Sequence, residues 1–159
     1  MTSTTSLADI LRRIDPGLVL DGDGECQIET DGGEECLISA VDETGQVVLS
    51  APLVAVSDFS AFGLFQEALL INNDLTLTGA ARICFDPDQG MLLLRYATAA
   101  EGLDEGTLEV LIDATLELAE RMQVHLQAGE SLFDPDGEPA PAADHPGTDI
   151  GVGANIIRG

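Results

Sequence analysis

The side chains able to do covalent or metal chemistry in this chain are few: Cys26, Cys36, Cys84, His125, His145 and a single tyrosine, Tyr96. Cys84 with His125 and a carboxylate would supply the parts of a thiol nucleophile, in which an imidazole draws off the thiol proton and an acid orients the ring. No spacing places them together, and Cys84 reads as a packed strand residue. The three cysteines are odd in number and form no C-x-x-C pair, which points to neither a disulfide framework nor a zinc site and fits a reducing compartment. Asp21-Gly22-Asp23-Gly24-Glu25 begins like a calcium loop, but Cys26 stands where the sharp turn needs glycine, and its flanks read as strands where an EF-hand has helices. Asp134-Pro135-Asp136-Gly137-Glu138 fails likewise, with Pro139 in the glycine position. Gly151-Val152-Gly153 lacks the third glycine, the strand and the helix that cradle a pyrophosphate. Neither catalytic residues, metal ligands nor a cofactor site are expected.

Charge narrows the partners. The chain carries 29 Asp and Glu against 6 Arg and no Lys, a formal charge of −23. Such a surface repels phosphate backbones and anionic membranes, so nucleic acid and membrane are both poor partners, and a positively patched protein segment is a better one. Solubility alone also accounts for the charge. The first apolar cluster, Leu7, Ile10, Leu11 and Ile14, is interrupted by Asp9, Arg12 and Arg13, unlike the continuous core of a signal peptide, and a cytoplasmic location is expected.

The elements that would carry any site follow from periodicity. Leu7, Ile10, Leu11 and Ile14 fall at i, i+3, i+4 and i+7 between capping Ser and Thr residues and the stop Asp15-Pro16-Gly17, which predicts a helix. Short extended runs follow at Leu18 to Leu20, Cys26 to Thr30, Cys36 to Val41 and Gln46 to Leu53, separated by Gly- and Asp-rich turns, as in an antiparallel meander. Ser60 to Ile71 reads as a second helix, apolar nearly all round and so needing cover on more than one side. Gly79 to Phe85 and Met91 to Ala97 flank the turn residues Asp86 to Gly90 as a hairpin whose second strand begins apolar on both faces. Asp104 to Gln127 is the longest helical period, ended by Gly129. The expected fold is α+β, in the order α-β-β-β-α-β-β-α, with a twisted antiparallel sheet of about five strands and three helices over residues 1–128. Residues 129–159, rich in Pro, Gly and Asp, read as a flexible tail, within which Ile150 to Ile157 either adds as a strand to an exposed sheet edge or stays inert.

This order of elements, together with Leu7-Ala8-Asp9-Ile10-Leu11, Gly45 to Leu49, Phe65 to Asn73, the hairpin from Ile83 to Tyr96 and Leu116 to Met122, resembles the class I chaperones of type III secretion, the Tir-chaperone-like family. The resemblance spans about Ser6 to Gln127; the Pro-rich tail and Gly-rich first strands depart from it. It implies a homodimer packed through the second helix and a nearby strand, with Phe62, Phe65, Leu69 and Met91 at the interface. It also implies that the N-terminal region of a secreted effector wraps the dimer as an extended ribbon, its apolar side chains meeting Ile10, Ile14, Ile38, Val48 and Leu93. Capture would proceed without nucleotide hydrolysis. Ordinary core packing is the competing account of each of these positions, and a regulator or stress-related binding protein of the same fold without a secretion client is the competing function. A small enzyme and a structural subunit are the remaining alternatives.

Overall fold

Ser6 opens the first helix, α1 (Leu7–Ile14), by accepting the Asp9 amide proton on its Oγ at 3.2 Å, and the Asp15 N–H closes it on the Leu11 carbonyl at 3.0 Å. Those two ends frame a short amphipathic helix whose Leu7, Ile10 and Leu11 are buried. The computed structural model describes residues 6–30, 32–41, 43–56 and 62–128, so the expectation of a tail over 129–159 falls outside the described residues.

Three strands follow as a meander: β1 (Glu25–Glu29), β2 (Glu35–Val41) and β3 (Gln46–Ala55). Leu18 to Leu20 forms no strand; Leu18 instead drops into the core, while Asp21 organises the turn before β1 by accepting the Asp23 and Glu25 amide protons on its carboxylate. The apparent calcium loop is therefore a turn held by its own side chain. Next come α2 (Phe62–Asn73) and the four-residue α3 (Leu75–Thr78), an element that the sequence pattern does not predict. The hairpin β4 (Arg82–Asp86) and β5 (Met91–Ala99) precedes the long α4 (Glu105–Ala128). Asp104 caps α4, its carboxylate accepting from the Thr107 amide at 2.8 Å.

All five strands form one antiparallel sheet in the order β1-β2-β3-β5-β4, so the expected α+β architecture is present, with α3 added. The ladder sorts side chains onto two faces, because directly opposed residues point the same way. One face carries Cys26, Ile38, Leu49 and Tyr96 in one row and Ala51, Leu94 and Ile83 in the next. Against it pack α4 and, through α4, α1; Leu108, Ile112, Leu116, Ala119 and Met122 complete the core. The opposite face carries Leu37, Ser50 and Arg95 in one row and Pro52, Leu93 and Cys84 in another. No helix among the described residues covers that face.

Candidate functional site

Two apolar surfaces are left over once the helices have packed. The first is the uncovered face of the sheet. Leu37 from β2, Pro52 from β3 and Leu93 from β5 form the apolar side of a shallow groove of about 370 Å³, rimmed by Glu25, Gln27 and Glu35. Leu93 is only 7% exposed despite lying on this face, which makes it the floor and not the rim. The groove borders a place where the sheet parts: the β2–β3 ladder ends at Leu37–Ser50, and a bulge between Pro52 and Val54 turns β3 away. Gln123 of α4 occupies the gap, its Nε2 donating to the Pro52 carbonyl at 2.7 Å. That bond ties α4 to β3 beside the bulge.

The second surface lies on α2. Phe62 and Leu69 are 75% and 70% exposed, one helical stripe apart from the buried Ala68 and Ile71, and Leu70, Leu75 and Phe85 are exposed on and beside the same helix. Phe65 is half-buried and stacks edge-on against Phe85 at 5.2 Å between centroids. Asn72 fixes the end of α2 to the sheet edge: its Nδ2 donates to the Ile83 carbonyl at 2.8 Å and its Oδ1 accepts the Ile83 amide proton at 2.7 Å. That side-chain amide thus takes the place of a neighbouring strand near the start of β4.

The sequence-nominated positions divide accordingly. Ile10 and Ile38 lie in the core, Ile38 fully buried on the helix-covered face, so neither presents a side chain to a guest. Ile14 is partly buried against that core. Val48 and Leu93 do lie on the uncovered face, but in rows separated by Leu37–Ser50–Arg95. Leu37 and Pro52 were missed; alternation puts Leu37 and Ile38 on opposite faces, but both are apolar, so the sequence does not mark which one is outward. Of the interface nominations, Phe62, Phe65 and Leu69 share α2, whereas Met91 sits opposite Ala55 at the start of β5, on the uncovered sheet face.

Groups that would do chemistry are kept apart. The Cys84 side chain lies on the uncovered face, opposite Leu93, while His125 belongs to α4 on the other side of the sheet. Burial pushes the Cys36 thiol up to about 12 and raises that of Cys26, the reverse of what an attacking thiolate requires. Among the described residues, no cluster of three His, Cys, Asp or Glu could hold a metal ion, and no helix is long and apolar enough to cross a membrane.

The profile of the Tir chaperone protein (CesT) family matches residues 5–123. The chain belongs to that family. Solved structures share its fold. A chain of the ExsC–ExsE complex is 23% identical, with a TM-score of 0.62, covering 76% of this chain and 90% of its own. A chain of the ExoU–SpcU complex from the type III secretion system of Pseudomonas aeruginosa is 19% identical at a TM-score of 0.58, covering 77% and 99%. A chain of the HopA1–SchA chaperone–effector complex is 22% identical at 0.57, covering 74% and 90%. Curated protein sequences contain no match.

Proposed function

We propose that this protein is a cytoplasmic, non-enzymatic, homodimeric chaperone that holds the extended N-terminal region of a type III secretion effector soluble and ready for export. The observation that carries the reading is the second, uncovered face of the sheet: in a chain of the Tir chaperone family it retains a groove with an apolar side of Leu37, Pro52 and Leu93 and a polar rim. An extended guest can lay alternate side chains into such a groove while staying unfolded elsewhere. Ordering the guest costs chain entropy, so a long contact is required to hold it, and a sheet face supplies length where a pocket would not. Likeness to chains from chaperone–effector complexes supports the same reading. The acidic surface, at −23, favours clients with basic segments and shortens the search for them at low salt.

Dimerisation belongs to the same proposal. The patch of Phe62, Leu69, Leu70 and Leu75 would be covered by its own copy about a two-fold axis, which needs no further component. Effector contacts are assigned to Val48 and Leu93, with Leu37 and Pro52 added beside Leu93. The test is capture of a co-expressed effector followed by limited proteolysis. Protection of an N-terminal stretch of the effector, lost in a Leu93→Asp variant that keeps its circular dichroism, is the expected result. Equal protection by that variant moves the contact off this face, and no protection by the native chain sinks the reading.

A further inference from the structure

The groove on the uncovered face has a candidate occupant within this same polypeptide. Its walls set the requirements: apolar side chains at Leu37, Pro52 and Leu93, with carboxylates at Glu25 and Glu35 along the β1–β2 side. Glu29 stands opposite Glu35 in the ladder and adds to that negative rim. Arg95 and Arg82, opposed in the ladder, are the cations on this face, and they lie across Ser50 from Leu37, away from the Glu25 rim. A fitting ligand is therefore an aliphatic segment with a cation at one end and no acid.

Acidic residues recur through the C-terminal part of the chain as far as Asp149 and then stop. From Ile150 onward the sequence reads IGVGANIIRG, with Ile150, Val152, Ile156 and Ile157 as large aliphatics, Arg158 as the only charge, and neither Asp nor Glu. Within the sequence that follows α4 this is the one stretch that carries an arginine and no acid, and its charge opposes that of the groove. Distance is no obstacle. Gln123 touches Pro52, a wall of the groove, and α4 continues only to Ala128, about 7.5 Å further along its axis at ~1.5 Å per residue. The residues between Ala128 and Ile150 reach ~70 Å when extended at ~3.3 Å each.

We propose that Ile150–Arg158 docks in this groove within its own chain, seating Ile156 and Ile157 against Leu37 and Leu93 and placing Arg158 beside Glu25 and Glu35. Tethering supplies an effective concentration in the millimolar range, so a weak intrinsic affinity is enough to fill the site. Such a segment shields the apolar face when nothing else does. Whether a client must displace it rests on the function proposed above; the docking itself does not.

The test uses full-length protein labelled at Leu methyls. In an Ile156→Asp, Ile157→Asp, Arg158→Glu variant, the Leu37 and Leu93 methyl signals are expected to shift from their native positions. A synthetic peptide of residues 148–159 should return them saturably, and Glu25→Gln with Glu35→Gln should weaken that peptide about two- to fivefold, the size of an exposed ion-pair effect. Identical methyl spectra for the native chain and the triple variant overturn the proposal, as do peptide shifts confined to Leu69 and Leu70 on α2. Because no effector is present, failure here leaves the chaperone reading standing. Loss of effector capture with these shifts intact would do the reverse.

Discussion

At the scale of single residues, the cysteines show how a reactive group is made structural. Cys36 sits fully buried in the ladder beside Ile28, and its desolvation holds the thiol neutral up to about 12, from an ordinary 9.0. A folded-state value above the unfolded one contributes stability that is complete below pH 9 and declines as pH rises from there toward 12, since only the unfolded chain ionises in that window. Urea unfolding between pH 8 and 11 is expected to show stability falling by up to about 1.4 kcal/mol per pH unit above 9 from this group. Cys36→Ala should flatten that slope. An unchanged slope would place the alkaline sensitivity elsewhere. Asp74 and Asp104 act in the other direction: hydrogen bonds from Thr76 to Asp74 and from the Thr107 amide to Asp104 hold both carboxyls below the usual range. The stability they add is present above about pH 4 and is lost as pH falls through their folded values.

Between residues and the whole lie the elements, and α2 is the one whose placement rests most on a single side chain. Asn72, in the last turn of the helix, closes both hydrogen-bonding groups of Ile83 on the exposed edge of β4. Replacing it with alanine leaves a partly buried amide and carbonyl unpaired, at a cost of about 2 kcal/mol. Chemical denaturation of Asn72→Ala is expected to show that loss, and amide exchange at Ile83 should rise. Asn72→Asp keeps the acceptor and loses the donor, so it should retain protection of the Ile83 amide better than alanine does. No change in either variant would mean that packing of Ala68 and Ile71 alone fixes the helix.

For the molecule as a whole, the question is where apolar surface goes when the helices run out. α1 and α4 seal one face of the sheet, and α2 covers the β4 end with its Ala68 and Ile71 side while leaving Phe62 and Leu69 outward. Burying a large aliphatic or aromatic side chain is worth about 1.5–3 kcal/mol, so even a handful of α2 residues gives a second copy strong reason to associate. Sedimentation is expected to show a dimer for the native chain and a folded monomer for Phe62→Asp with Leu69→Asp, because both side chains lie outside the described core. A native chain that sediments as a monomer would remove the dimer from the proposed function and leave the groove untouched.

Much of this architecture was legible from the chain alone. Helical spacing located α1 and α4, turn residues delimited the meander and the hairpin, and the apolar character of α2 on every side announced a helix needing more than one cover. α3 escaped because four residues are too few to show a period, although Asp74 beside Thr76 carries its capping signal. Leu18 to Leu20 has strand-like composition but no partner, and pairing, not composition, makes a strand. The main thing left to the tertiary structure was which side of each strand would be covered. Alternation divides Leu37 from Ile38 and Leu92 from Leu93 without saying which member faces the helices, since both are apolar. Only the docking of α4 on β3 decided that Ile38 is core and Leu37 surface. A period of two carries the contrast between faces, whereas the identity of the buried one depends on contacts far apart in the chain.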